Sequence, residues 1–245
     1  MKKEKIENAI INGLNQAESA WNNVGFNFNK RIAAADSVME KYEEPSKIPG
    51  HPFVKNGIYK VDEFVALVVD MRNSSQHLKT HISSKLENGF QRVFYETSAL
   101  LPAIEVACSV EGGAVTEYLG DGALILFSVN INEREKSIQA AYRAAKNCIE
   151  DAREIINREL FKRYDLPNIS LGAGISLSKA LVTLVGSDNN FQAKVIGECV
   201  WEASKLSVGV NKIYVSKYLY DIWPNSKGGS LKFKSDDIGY CVIKS

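Results

Sequence analysis

Two aspartates are the residues of this chain best suited to chemistry. Asp70 closes the apolar run Phe64-Val-Ala-Leu-Val-Val69 and is followed by Met71-Arg-Asn-Ser-Ser75. Asp121 stands between two glycines in Tyr118-Leu-Gly-Asp-Gly-Ala-Leu-Ile-Leu-Phe127. Carboxylates are hard oxygen donors, and two of them converging on one point suit a divalent ion held against a triphosphate. Taken singly, each has a plainer explanation. An Asp at a strand end is ordinarily a helix cap or loop residue, and an Asp-Gly pair is ordinarily a turn. The conjunction of the two carries the weight.

The surrounding elements are what must bring them together. An apolar run rich in Val and Leu, stopped by a polar cluster, reads as a strand buried on both faces. A carboxylate at its end leaves the core where α/β folds place their ligands. The segment around Asp121 reads as strand, Asp-Gly turn, strand. If that hairpin lies beside the first strand, both carboxylates meet at one edge of a rigid sheet.

Composition narrows the function classes. A chain of 245 residues with 45% hydrophobic content and a net charge of +1 can bury a full core. No basic tract stands out, which argues against nucleic acid as the main partner. No apolar run reaches membrane-spanning length, and Met1-Lys-Lys-Glu-Lys has no signal-peptide core after it, so a cytoplasmic protein with no membrane partner is expected. Cys108, Cys148, Cys199 and Cys241 are scattered without metal-like spacing and read as reduced thiols.

Residues 1–45 read as an N-terminal helical segment and residues 46–245 as one domain. Ile6, Ile10, Leu14, Ala17 and Trp21 share a helical face, and a second helix is expected from about Lys30 to Tyr42. That pair either packs on the domain or sets dimer geometry. Glu44-Pro-Ser-Lys-Ile-Pro-Gly-His-Pro52 reads as a linker. His77 and His81 have a zinc-compatible spacing at the start of a helix expected to run to about Ala107. Residue Leu78 stands where a metalloprotease helix has Glu, so both read as surface polar residues. A helix from about Glu133 to Phe161 presents Ile138, Ala141, Tyr142, Ala145, Cys148, Ile149, Ala152, Ile155 and Ile156 to the core. Strands follow at Ile169–Leu177 and Ala180–Gly186, then a helix at Cys199–Ser207, a strand at Lys212–Ser216 and a hairpin around Gly228-Gly229. The order predicts an α+β sandwich, α/β in the broad sense, with helices covering one sheet in a ferredoxin-like manner.

With those segments in order, the chain resembles the class III nucleotidyl cyclase catalytic domain from about Phe64 to Tyr220, preceded here by N-terminal helices. Phe64-to-Ser75 is similar to that family's first metal segment, and Glu117-Tyr-Leu-Gly-Asp121 to its second. Gly174-Ile175 and Gly186 resemble its glycine-spaced strand pair. Gly197-Glu-Cys-Val-Trp-Glu-Ala-Ser-Lys-Leu206 resembles its Gly-Asp-x-Val-Asn-x-Ala-x-Arg-Leu helix, and Ile213-Tyr-Val-Ser216 with Tyr220 its last strand and helix. The resemblance implies a lyase that closes a nucleoside triphosphate to its 3′,5′-cyclic monophosphate with release of pyrophosphate. It implies two Mg²⁺ or Mn²⁺ ions per site in the segments holding Asp70, Met71 and Asp121. Backbone N–H groups around Asn73, Ser74 and Ser75 would cradle phosphate oxygens. It also implies a homodimer whose sites lie between subunits, with Asp70 and Asp121 from one chain and Trp201 and Lys205 from the other.

The departures are specific. Trp201 stands where the family has a ribose-orienting Asn, and Lys205 where it has a transition-state Arg. Lysine neutralises phosphate as a point charge without the bidentate fork. Tryptophan cannot accept a hydrogen bond, so ribose would be held by stacking on the indole. Glu117 and Lys194 occupy the base-reading positions and match neither the adenine nor the guanine pair. With Asp-Met-Arg-x-Ser-Ser and the His51–Gly57 lead-in, this looks most like the bacterial pyrimidine cyclases of the Pycsar anti-phage system. The resemblance then implies UTP, and less so CTP, as substrate and a separate effector protein as reader of the product. A purine cyclase, or an inactive nucleotide-binding module on the same fold, are the alternatives.

Overall fold

The computed structural model describes residues 42–80, 83–187, 190–224 and 231–244. The helices expected ahead of Tyr42 lie outside the described residues, as do His81 and the Gly228-Gly229 pair. In chain order the described elements are β1 (Glu43–Pro45), β2 (Phe53–Lys55), β3 (Lys60–Met71), α1 (Ser74–His77), α2 (Gly89–Ser109), β4 (Ala114–Tyr118) and β5 (Gly122–Ser128). They continue with α3 (Arg134–Asn147), a π-helical turn (Cys148–Ala152), α4 (Arg153–Tyr164), β6 (Leu171–Ser187), β7 (Asn190–Gly197) and α5 (Glu198–Leu206). The chain closes with β8 (Lys212–Val215), α6 (Lys217–Asp221), β9 (Leu231–Ser235) and β10 (Tyr240–Lys244).

β3 is the strand on which the sheet is built. It pairs antiparallel with β5 on one side and β6 on the other, in the order β4-β5-β3-β6-β8-β10-β9, while β7 pairs with the second half of β6, from Ala180 to Ser187. Strand side chains alternate between faces, and here both faces are covered, which is why the run from Phe64 to Val69 is apolar without interruption. Val65, Leu67, Val69 and Met71 enter the core under α2, α3 and α4, beside Leu100, Ile104, Ile138 and Ile156. Phe64, Ala66 and Val68 enter the opposite layer with Val182, Val195, Cys199 and Ala203. Asp70 shares the parity of this second set, so its carboxylate leaves on the α5 side of the sheet.

Several elements depart from the sequence reading. The two strands expected at 169–177 and 180–186 are one strand, β6, because Ser178 and Lys179 stay paired to Phe64 and Glu63 of β3. The Ser178 hydroxyl then accepts from the Cys199 N–H at 2.9 Å, at the head of α5. The long helix expected over 133–161 is present, but its π turn shifts the register and turns Ile155 outward, 50% exposed, while Ile156 stays buried. The stretch read as a linker instead forms the β1–β2 hairpin, with Ile48, His51 and Val54 buried, so the boundary expected at 45/46 runs through that hairpin. The last hairpin turns at 236–239, where the Asp236 carboxylate accepts from Ile238 N–H at 2.9 Å. Among the described residues no helix is long and apolar enough to cross a membrane.

α5 lies directly on β6, and glycine permits it. A Cβ at Gly174 would sit 2.1 Å from the Ala203 carbonyl oxygen, and one at Gly172 would sit 1.9 Å from that of Ser207. Both neighbours are backbone and cannot swing away. Gly174→Ala is therefore expected to lower stability by about 3 kcal/mol, the upper end of overpacking costs. The reading is the urea midpoint, and an unchanged midpoint would mean that α5 can lift from the strand freely.

Candidate active site

Asp70 sits opposite Gly122 on β5, and the Met71 N–H donates to the Asp121 carbonyl at 3.1 Å, so the strand end and the hairpin turn are stitched together. Gly122 is needed for this closeness, since a Cβ there would lie 2.8 Å from an Asp70 carboxylate oxygen and 2.5 Å from the Val69 carbonyl. Gly120, at φ +87°, supplies the left-handed residue of the turn that presents Asp121. The expected convergence of the two aspartates is thus a consequence of register.

Their electrostatics follow from that proximity. Burial, then the neighbouring charge of Asp121, push the Asp70 carboxyl up to about 6, against an opposing pull from Arg72. The Arg72 guanidinium lies against the Asp70 carboxylate and 3.5 Å from the Met71 carbonyl oxygen, and its Nε is buried without a hydrogen-bond partner. A cationic group is thereby seated on two of the oxygens that the metal segment would offer, and a donor set made only of oxygens suits Mg²⁺ or Mn²⁺. Met71 can contribute only that backbone oxygen, because its side chain is packed in the core. Arg72 carried no signal in the sequence beyond its place two residues after Asp70.

The raised carboxyl has a consequence for the metal-free protein. The folded value lies above the unfolded one of 3.8, so the folded state binds this proton more tightly. Stability then falls as pH rises between those two values, and Asn, which mimics the protonated carboxyl, escapes the loss. Melting in chelator should give Asp70→Asn and wild type equal stability well below pH 3.8, with Asn gaining up to about 3 kcal/mol above pH 6. A gap that does not change with pH would refute the electrostatic coupling.

The phosphate-binding segment expected at Asn73–Ser75 opens α1. Asn73 takes a left-handed φ of 63° and its side chain makes no cap bond, so the chain turns sharply out of β3 at this point. His77, read as a surface residue, is instead largely buried, with Nδ1 2.8 Å from the Glu96 carboxylate. The helix expected to continue to Ala107 stops, and α2 restarts at Gly89 under an Asn88 cap that accepts from Gln91 N–H at 2.9 Å.

Glu117 and Lys194 are brought together, with Lys194 Nζ 2.7 Å from a Glu117 carboxylate oxygen. The register between β4 and β5 shifts between Val115 and Glu117. Val115 faces the helical core opposite Ile125, and the one-residue bulge at Thr116 places Glu117 opposite Leu124, on the other face. Without it Glu117 would point into the core. The pair lines a cavity of about 410 Å³ with Tyr118 and Phe191, walled by the hairpin residues Glu44 to Ile48. The Pro-rich composition of residues 44–52 gives no sign of that wall, which exists because the segment pairs as a hairpin.

Trp201 and Lys205 stand one turn apart on the outer side of α5, and the indole is 75% exposed. Among the described residues no hydrogen bond or ion pair joins either of them to Asp70 or Asp121 of the same chain. Glu198, at the first turn of α5, is also exposed.

No protein-family model and no curated protein sequence matches this chain. Solved structures do. The guanylyl cyclase Cya2 is 17% identical with a TM-score of 0.56, over 74% of this chain and 89% of that one. The adenylyl cyclase CyaB from P. aeruginosa is 15% identical with a TM-score of 0.60, over 76% and 96%. The guanylate cyclase domain of RhGC from Catenaria anguillulae, solved with GTP, is 15% identical with a TM-score of 0.54, over 75% and 97%. This is the class III nucleotidyl cyclase catalytic fold. On a cyclase fold, Asp70 and Asp121 occupy the strand end and hairpin turn beside the central strand, and Trp201 and Lys205 ride on the helix that covers β6.

Proposed function

We propose that this chain is a nucleotidyl cyclase of class III type. It would convert a nucleoside triphosphate to the 3′,5′-cyclic monophosphate and pyrophosphate. The observation that carries the reading is the pair Asp70 and Asp121, held in register at one sheet edge and close enough for one to raise the other's pKa. In the reaction the ribose 3′-oxygen bonds to the α-phosphorus, the bond from that phosphorus to the β-phosphate oxygen breaks, and the hydroxyl proton is lost to solvent. Divalent ions bound at Asp70, Asp121 and the Met71 carbonyl would supply charge neutralisation and a lowered hydroxyl pKa.

The chain's own groups do the positioning. Lys205 offers a mobile positive charge for the triphosphate as charge shifts toward pyrophosphate. Trp201 offers an exposed flat face on which a ribose or base can stack. Because both stand on an open helix face with no bond to the aspartates of their own chain, a homodimer with shared sites is the assembly we infer. Asn73, Ser74 and Ser75, at the turn out of β3, are the phosphate contacts in this reading.

For the substrate we propose a pyrimidine triphosphate, UTP before CTP, with the product serving as a signal in anti-phage defence read by a separate effector. Glu117 can accept the N3–H of uracil while Lys194 donates to O4, or accept from the cytosine amino group while Lys194 donates to N3 or O2. The hairpin wall beside this pair supports a small base. A purine reading has support as well, since the structures of like fold are titled adenylyl and guanylyl cyclases. An inactive binding module is favoured only by Trp201 and Lys205 replacing Asn and Arg. Incubation with each of four NTPs and Mn²⁺, followed by chromatography, separates all three. Cyclic UMP or CMP is the expected product, cyclic AMP or GMP would select the purine reading, and no product from any NTP would overturn the enzyme.

A further inference from the structure

Behind the turn that follows Asp70 lies a charged cluster with no part in the reaction described above. Glu96 on α2 is completely buried and serves two donors, with Arg92 Nε 2.8 Å from one carboxylate oxygen and His77 Nδ1 2.8 Å from the other. The Arg92 side chain is 3% exposed. Arg92 and Glu96 are one turn apart on the same helix and could neutralise each other in solvent as an ordinary surface pair. Burying such a pair is a desolvation cost that hydrophobic residues would avoid, so its presence is weak evidence for stability as such. What the burial secures is the third member, because His77 is the one partner on another element.

His77 ends α1, and α1 is joined to Asp70 by three residues. Two further features press the same segment into place. A Cβ at Gly89 would lie 2.1 Å from the Leu78 carbonyl oxygen, so the head of α2 abuts the end of α1. The left-handed Asn73 fixes the exit from β3 at the other end. The segment from Met71 to Leu78 is therefore held at its start by the sheet and at its finish by one hydrogen bond into α2.

We propose that His77 and Glu96 are positioning residues that set the Asp70–Leu78 segment, and with it the geometry of divalent-ion binding at Asp70, with Arg92 as the second donor that fixes the Glu96 carboxylate. This rests on the metal reading of Asp70. The fitting logic is that of outer-shell partners, whose loss typically weakens metal affinity by about 10–100-fold.

The test uses the full chain and Mn²⁺ alone, read as free Mn²⁺ by EPR, with KM and kcat for the accepted NTP measured alongside. His77→Ala is expected to weaken Mn²⁺ binding about tenfold or more and to raise KM more than it lowers kcat. His77→Asn, whose amide N–H can stand in for the Nδ1–H, is expected to restore most of the affinity. Glu96→Gln leaves Arg92 buried without its charge partner and can fail to fold, so the His77 pair carries the decision. Unchanged Mn²⁺ affinity in His77→Ala overturns the proposal, as does His77→Asn behaving like His77→Ala while melting like wild type. Wild-type protein that binds no Mn²⁺ removes the metal reading of Asp70 itself, and this inference with it.

Discussion

Asp70→Ala and Asp121→Ala are each expected to reduce cyclisation by about a thousandfold or more, with Mn²⁺ binding lost and the assembly state unchanged. The size follows from what a two-ion site contributes, several kcal/mol of charge stabilisation at about 1.4 kcal/mol per tenfold in rate. Neither aspartate holds the fold together. Asp70 is destabilising when ionised, since burial and Asp121 both disfavour its charge, and Asp121 sits in a turn whose conformation Gly120 supplies. Activity is therefore expected to be lost in folded protein, and melting curves on the same samples check this directly. Retention of more than a tenth of wild-type turnover in either variant would remove the carboxylates from the reaction. The shared-ion reading also requires non-additivity, because the two residues act as one ligand set. The double variant should be no slower than the slower single variant.

How much of this was legible beforehand depends on how local the determining physics is. β3 and the β4–β5 hairpin were readable because their signals are complete within a dozen residues: an apolar run ended by a carboxylate, and an Asp-Gly turn between apolar stretches. The pairing of Asp70 with Gly122 followed from those two once they were adjacent. The single long strand β6 was not readable, because Ser178 and Lys179 look like a break and only the partner strand keeps them extended. The π turn at Cys148–Ala152 has no sequence signature, yet it decides that Ile155 faces solvent. Glu117 was singled out by its place before Asp121, but what aims it at Lys194 is a one-residue bulge set by the register of β4 against β5. The burial of His77 is hidden from the sequence for a similar reason. Its buried partner Glu96 lies on a different helix, and nothing near His77 in the chain announces it.

The shared-site reading, with Asp70 and Asp121 on one chain and Trp201 and Lys205 on the other, leads to a prediction that a single-chain site cannot satisfy. Asp70→Ala and Lys205→Ala proteins, each inactive alone, should recover about a quarter of wild-type activity when mixed in equal amounts and allowed to exchange subunits. Random pairing makes half of the dimers mixed. In each mixed dimer one site collects both altered residues, and the other combines an intact Asp70 with an intact Lys205. The physical basis is that Lys205 lies exposed on α5, a turn below an indole that is three-quarters open to solvent. In the shared-site reading, a charge in that position acts on a triphosphate when another molecule's Asp70 and Asp121 are brought against it. A mixture of two Asp70→Ala preparations carrying different tags gives the baseline, and tag-based isolation of the mixed dimer shows that exchange has occurred. If isolated mixed dimers remain as inactive as that baseline, each chain carries its own complete site. Trp201 and Lys205 would then be surface residues, and the catalytic cation would have to come from the same edge as Asp70, where Arg72 already lies against the carboxylate.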